Sequence, residues 1–132
     1  MRKSSPQVLV IDDDRDTLDL LKLALERNGF SVITAASWEE VGNQIDRTFQ
    51  RDRAIDVIVL DLMMPERSGF DILLSLQVAL APMPPVIVLS AITGLEQQIK
   101  ARNLGATKYM TKPTTPQKLI EAVKTVLADA RK

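Results

Sequence analysis

Three short runs in this 132-residue chain are apolar at every position, and they constrain the fold more than any other feature. The runs are Val8–Ile11, Val57–Leu60 and Val86–Leu89. A strand with one solvated side alternates polar and apolar residues, whereas a strand that is buried on both faces is apolar throughout. We therefore predict three central strands in a sheet that helices cover on both faces.

The segments between these runs have helical patterns. Capping boxes at Ser37–Glu40 and Thr93–Glu96 each predict a helix start, because the hydroxyl accepts a hydrogen bond from an otherwise unpaired backbone N–H. In the helix after Ser37 we expect Phe49 to face inward. Helices are predicted to begin near residues 14, 37, 68, 93 and 115.

Two further segments, Ser31–Ala35 and Thr107–Thr111, are strand-like but mixed in polarity, which is typical of sheet edges. Five strands thus alternate with five helices along the chain. Strands that are joined by helical crossovers run parallel, and their connections are right-handed. The sequence therefore predicts a single doubly wound α/β domain with a five-stranded parallel sheet.

Polar side chains follow four of the predicted strands. Asp12 and Asp13 follow the first strand, Asp61 the third, Ser90 the fourth and Lys112 the fifth. In a doubly wound sheet the carboxyl ends of the strands border one crevice. Three clustered carboxylates repel one another unless a cation neutralises them, and Mg2+ prefers oxygen ligands. Together with a lysine and a hydroxyl, the acids suit phosphoryl transfer to a carboxylate.

Each of these residues alone also has an ordinary structural explanation. An acid after a strand is often a helix N-cap, and we assign that role to Asp14. Asp12 and Asp13 are open to the same explanation, and Asp61 to that of a solvated loop acid. The joint occurrence of these residues at the predicted strand ends favours a functional site.

Composition excludes several classes of site. The chain has no Cys and no His, which removes disulfides, thiolate zinc sites and Ser-His triads, and also any phosphohistidine of its own. Its formal net charge is zero, which argues against direct nucleic-acid binding. The uncharged stretch from 72 to 95 contains three prolines, so we predict helix, turn and strand there rather than a membrane span. With no targeting segment visible, we expect a cytoplasmic protein.

Motifs in order along the chain resemble the receiver domain of two-component response regulators. They are Val8-Leu-Val-Ile-Asp-Asp-Asp14, Asp56-Val-Ile-Val-Leu-Asp-Leu-Met-Met-Pro65, Ser68-Gly69, Val86-Ile-Val-Leu-Ser-Ala91 and Gly105-Ala-Thr-Lys-Tyr-Met-Thr-Lys-Pro113. The resemblance implies a flavodoxin-like strand order 2-1-3-4-5. It also implies a receiver domain over residues 6–130, with residues 1–5 as a tail.

The same resemblance assigns the phosphoacceptor and the metal ligands. Asp61 would accept a phosphoryl group from a phosphohistidine of a sensor histidine kinase or phosphotransfer protein. Asp13, Asp61 and the backbone carbonyl of Met63 would hold Mg2+, with Asp12 acting largely through water. The protein would be a phosphoacceptor switch with only intrinsic autophosphorylation and autodephosphorylation activity, and not a conventional enzyme.

Switching roles follow from the resemblance as well. Lys112 would pair with the phosphoryl oxygens, Ser90 would hydrogen-bond them, and Tyr109 would turn inward. The Lys112–Pro113 bond would be cis. The face made by the fourth helix, fifth strand and fifth helix would then change, which would control an output protein or a fused effector domain.

Two alternatives remain open at this point. One is a pseudo-receiver that only binds proteins, although such domains usually lack one of the acids or the lysine. The other is a phosphatase of the haloacid-dehalogenase kind, which needs a general acid two residues after its nucleophile, where this chain has Met63.

Overall fold

Strands and helices alternate strictly along the chain. The computed structural model describes residues 5–64 and 68–130. The elements are β1 (Gln7–Ile11), α1 (Arg15–Glu26), β2 (Ser31–Ala35), α2 (Trp38–Gln50), β3 (Val57–Leu60), α3 (Gly69–Ala79), β4 (Val86–Ser90), α4 (Leu95–Asn103), β5 (Lys108–Thr111) and α5 (Pro116–Ala130).

All five strands are parallel and form one sheet in the order β2-β1-β3-β4-β5. In the register, Leu9 of β1 lies between Ile33 of β2 and Ile58 of β3. The mixed strands β2 and β5 lie at the two edges, as predicted. The predicted fold class and the strand order that the resemblance implied are both confirmed.

The apolar strands supply two separate cores. Alternate side chains of one strand point to opposite faces of the sheet, so Val8 and Val10 pack with α1 and α5, while Leu9 and Ile11 pack with α2, α3 and α4. Every residue of β1, β3 and β4 is buried. Burial on both faces explains why these strands have no charged residue, and why their polar residues, Gln7 and Ser90, lie at a strand end.

Side-chain caps begin four of the five helices in the described part of the chain. Asp14, Ser37, Ser68 and Thr115 each accept a hydrogen bond from a backbone N–H in the first turn. The predicted capping box at Thr93 is wrong. Gly94 is the N-cap of α4 and provides no side-chain hydrogen bond, so the helix starts one residue later than the motif indicated.

The box at Ser37 is confirmed in a modified form. The N–H of Glu40 donates to Ser37 Oγ at 3.2 Å, and the Glu40 carboxylate accepts from the N–H of Ala36 at 2.9 Å. A second carboxylate oxygen pairs with Arg15 of α1 at 2.6 Å. Glu40 therefore ties the start of α2 to both the preceding turn and the neighbouring helix.

The inward orientation predicted for Phe49 is also wrong. Its side chain is 65% exposed, whereas Val41 and Ile45 of the same helix are buried. Phe49 lies in the last turn of α2, next to the connection that leads to β3. The apolar stripe of α2 therefore leaves the core one turn before the helix ends.

The stretch from 72 to 95 forms the rest of α3, a proline-containing turn and β4, as predicted. Within the described part of the chain, no helix has the length and apolar character that crossing a bilayer requires. The predicted tail, residues 1–5, lies outside the described residues except for Ser5.

We predict that Ser37→Ala destabilises the protein by about 1 kcal/mol, because it removes the side chain that caps α2. The matched change Thr93→Ala is expected to alter the free energy of unfolding by less than about 0.5 kcal/mol, since Thr93 does not cap α4. Urea denaturation of both variants measures the difference. Equal losses from the two substitutions would contradict the assignment of the caps.

Candidate functional site

Three carboxylates come together where β1 and β3 end. One carboxylate oxygen from each of Asp12, Asp13 and Asp61 lies within 4.8 Å of the other two. Asp12 and Asp61 are buried, and Asp13 is exposed. The neighbouring positions of β1 and β3 in the sheet explain why acids that are almost fifty residues apart in sequence share one site.

Lys112 brings the end of β5 to the same place. Its Nζ lies 3.2 Å from Asp12 Oδ2 and 3.1 Å from Asp61 Oδ2. The backbone N–H of Lys112 donates to the carbonyl of Ser90 at the end of β4, and the Lys112–Pro113 peptide bond is cis, as the resemblance implied. One ammonium therefore bridges the two buried acids.

The other oxygens of these two acids are also engaged. Asp12 Oδ1 accepts from the N–H of Asp14 at 3.0 Å, and Asp61 Oδ1 accepts from the N–H of Met63 at 2.9 Å. Asp13 differs, because its carboxylate has no hydrogen-bond or ion-pair partner within residues 5–64 and 68–130. Of the three acids, Asp13 therefore has the carboxylate that is most open to a metal ion, whereas both oxygens of Asp61 already have protein partners.

Burial and charge shift the pKa of both partners of the central ion pair. Burial raises the pKa of Asp61, and the nearby charge of Asp12 adds to this, while the Met63 N–H and the Lys112 ammonium oppose it. Burial lowers the pKa of Lys112, but Asp61 and then Asp12 outweigh that effect, so the net pKa is raised. The lysine therefore stays charged, and the Asp61 carboxylate carries a desolvation cost.

The side chains of Ser90 and Tyr109 both hydrogen-bond to the backbone of Ile92. Ser90 is fully buried, and its Oγ accepts from the N–H of Ile92 at 3.1 Å. The Tyr109 hydroxyl donates to the carbonyl of Ile92. The sequence predicts that both side chains lie near the site, but it does not predict this shared contact, because residue types do not reveal a hydrogen bond to backbone.

Gly69 belongs to a motif quoted for the resemblance, but the sequence analysis did not predict its structural role in the site. A Cβ atom at Gly69 would lie 2.3 Å from the Cα of Leu62, the residue after Asp61. The N–H of Gly69 donates to the carbonyl of Leu62 at 3.0 Å, and Met63 forms an isolated bridge with Ser68. The signals in the sequence were the Ser68-Gly69 motif and a glycine directly after a cap, where a better helix former is common. Pro65 of the same motif lies outside the described residues.

Comparison with known families agrees with this geometry. The profile of the response regulator receiver domain matches residues 8–124. The chain belongs to the response regulator receiver domain family. Receiver domains of this family are phosphorylation-dependent signalling switches rather than classical enzymes, and they bind Mg2+ at an acidic pocket.

Individual relatives support the assignment. The chain is 34% identical over 121 residues to the transcriptional regulatory protein CpxR of Escherichia coli, and 32% identical over 125 residues to the response regulator SaeR of Staphylococcus aureus. These matches cover 92% and 95% of this chain but 49% and 52% of the relatives. The chain thus spans about half the length of these two relatives.

Solved structures show the same fold along nearly the whole chain. A receiver domain protein from Clostridium thermocellum has a TM-score of 0.81 at 35% identity, and the match covers 96% of this chain and 97% of that one. The receiver domain of the Francisella response regulator 1452 has a TM-score of 0.82 at 32% identity, with coverage of 96% and 99%. The family identification made from the sequence is confirmed.

We predict that Asp61→Asn stabilises the metal-free protein near pH 7. The raised pKa means that ionisation of Asp61 costs folding free energy at any pH above its folded-state value. As the pH falls to about 3, below the pKa of about 3.9 that aspartate has in the unfolded chain, Asp61 becomes mostly protonated in both states, and the advantage of the variant is expected to shrink. Urea unfolding in a chelator at both pH values measures this difference.

The control is Asp19→Asn, because Asp19 is exposed on α1. It is expected to change the free energy of unfolding by less than about 0.5 kcal/mol at either pH. An Asp61→Asn variant that is less stable than wild type near pH 7 would contradict the assignment of a desolvation cost to this carboxylate.

Proposed function

We propose that Asp61 accepts a phosphoryl group from the phosphohistidine of a sensor histidine kinase or phosphotransfer protein, in a Mg2+-dependent reaction. The observation that carries the proposal is the contact of the Asp61 carboxylate with Lys112 at 3.1 Å, at the rim of a three-acid cluster. The receiver domain, proposed for residues 6–130, then controls an output protein or a fused effector domain.

Each named group has a chemical task in this transfer. An oxygen of Asp61 attacks phosphorus, the bond from phosphorus to the donor's imidazole nitrogen breaks, and an acyl phosphate forms. The ammonium of Lys112 faces the phosphoryl oxygens and stabilises their negative charge. No general base is needed, because an ionised carboxylate is already the nucleophile. This is consistent with a site that has no histidine.

The acid cluster fits a magnesium site. Mg2+ commonly binds through one or two carboxylates together with water and phosphate oxygens. Following the resemblance to receiver domains, we assign direct ligation to Asp13, Asp61 and the backbone carbonyl of Met63, and a largely water-mediated role to Asp12. Bound Mg2+ would supply positive charge that offsets the repulsion between the acids and the incoming phosphoryl group.

The contacts at Ile92 suggest how the signal leaves the site. A Ser90 hydroxyl that turns to the phosphoryl oxygens gives up its bond with the Ile92 N–H. The Ile92 segment also holds the Tyr109 hydroxyl, so a shift there allows Tyr109 to turn inward. The resulting change would spread over the face formed by α4, β5 and α5, as a local charge event acting on a bistable element.

The two alternatives have less support. A pseudo-receiver would lack one of the acids or the lysine, whereas Asp12, Asp13, Asp61 and Lys112 are all brought together here. A phosphatase of the haloacid-dehalogenase kind would need a proton donor at position 63, and a methionine side chain has no proton to transfer.

The direct test is to treat the protein with acetyl phosphate and Mg2+ and to measure its intact mass. We expect one phosphoryl group on the wild type and on the control variant Asp19→Asn, and none on Asp61→Asn. Labelling of Asp61→Asn to the wild-type level would overturn the assignment. Unlabelled wild type would favour the pseudo-receiver, and hydrolysis of a simple phosphate monoester such as p-nitrophenyl phosphate would favour the phosphatase.

We predict that Mg2+ binding depends on Asp13 more than on Asp12. Asp13 has an unengaged carboxylate, whereas both oxygens of Asp12 have hydrogen-bond partners. NMR titration with Mg2+ of Asp13→Ala, Asp12→Ala and the surface control Asp19→Ala measures the three dissociation constants. We expect the weakest Mg2+ binding for Asp13→Ala, a smaller loss for Asp12→Ala and unchanged binding for Asp19→Ala. Equal weakening by the first two substitutions would contradict the ligand assignment.

A further inference from the structure

The outer edge of β2 forms the floor of a groove between α1 and α2, away from the acid cluster. The groove has a volume of about 320 Å3. Ser31–Thr34 of β2 lie along it, with Lys22 of α1 on one side and Gln44 and Arg47 of α2 on the other. No strand pairs with this edge in the described sheet, since β2 is the first strand in the order.

Backbone groups of this edge point into the groove. The ends of β2 bond to β1 through Ser31, whose N–H donates to Pro6, and through Ala35, whose carbonyl accepts from Asp12. Because a parallel strand alternates its bonding direction from residue to residue, the N–H and carbonyl groups of Val32 and Thr34 face outward. Gln44 Nε2 donates a hydrogen bond to the Thr34 carbonyl at 2.8 Å. Two N–H donors and one carbonyl remain available.

The walls of the groove are strongly positive. Four cations line it, and no carboxylate or aromatic side chain is among the described residues that do so. Arg53 donates a hydrogen bond to the Ser5 carbonyl. Lys22, Arg47 and Arg51 are exposed, and within residues 5–64 and 68–130 their side chains have neither an ion-pair nor a hydrogen-bond partner.

We propose that this groove binds an extended acidic segment of a partner protein, which adds to β2 as a sixth strand. The outward groups of Val32 and Thr34 supply the main-chain hydrogen bonds of strand addition. The flanking Lys22, Arg47 and Arg51 supply charge complementarity to acidic side chains. A nucleic acid fits less well, because no aromatic side chain is present to stack on bases and phosphates do not pair with a strand edge.

Two simpler roles for these cations make different predictions. Arg47 and Arg51 lie near the C-terminal end of α2, where positive charge favours the helix dipole. Charged residues beside a sheet edge also discourage pairing between copies of a chain. Neither role requires a ligand. Binding of an acidic strand that protects the β2 amides from hydrogen exchange would therefore distinguish the proposal from both roles.

The probe is a capped peptide of alternating glutamate and valine, added to the whole chain without phosphorylation. We expect amide shifts in 15N NMR that are largest at Val32 and Thr34, together with slower hydrogen exchange of these two N–H groups. The variant with both Arg47→Gln and Arg51→Gln is expected to bind about tenfold more weakly. The equally charged control, Lys118→Gln with Lys124→Gln on α5, is expected to bind as the wild type does.

Four results would overturn the proposal. The first is the absence of NMR shifts at Val32 and Thr34. The second is binding as tight as that of the original peptide by the same peptide with N-methyl groups on alternate backbone nitrogens, and the third is equally tight binding of a single-stranded oligonucleotide. The fourth is self-association of the Arg47→Gln/Arg51→Gln variant when the wild type binds no peptide. The second result would indicate charge attraction without strand addition, and the last a purely protective edge. Because the assay needs no phosphoryl donor, its failure leaves the role of Asp61 unaffected.

Discussion

The ammonium of Lys112 lies between two buried carboxylates, Asp12 and Asp61, and the arrangement of the site depends on this bridge. Without a cation, two ionised acids at this separation would repel each other in a poorly solvated place. The bridge also connects the end of β5 with the ends of β1 and β3, across β4. A charged ligand at Asp61 therefore acts on a contact that three strands share.

The apolar strands make this bridge possible. Since β1, β3 and β4 are buried on both faces, they cannot carry charged residues along their length, and the acids follow at the positions where β1 and β3 end. Parallel pairing places those ends at one edge of the sheet. The same packing that stabilises the two cores thus concentrates Asp12, Asp61 and Ser90 in one crevice.

The residues that follow the strands could be predicted from sequence because both the strands and the acids have strong local signals. The orientation of Phe49 could not be predicted from sequence. Helical spacing shows which face of a helix a side chain lies on, but not where the helix extends beyond the core. The Thr93 motif failed because capping depends on backbone angles at Gly94 that residue types do not determine. The role of Gly69 was not predicted because its close approach to Leu62 is a contact with backbone.

The most direct measurement of the central claim is chemical trapping of the phosphorylated protein. Borohydride reduces an acyl phosphate to the alcohol, so an aspartyl phosphate becomes homoserine, which peptide mass mapping locates. After treatment with acetyl phosphate and Mg2+, the account predicts homoserine at position 61 and unchanged aspartate at positions 12 and 13. Homoserine at position 12 or 13, or phosphoprotein that yields no homoserine at all, would contradict it.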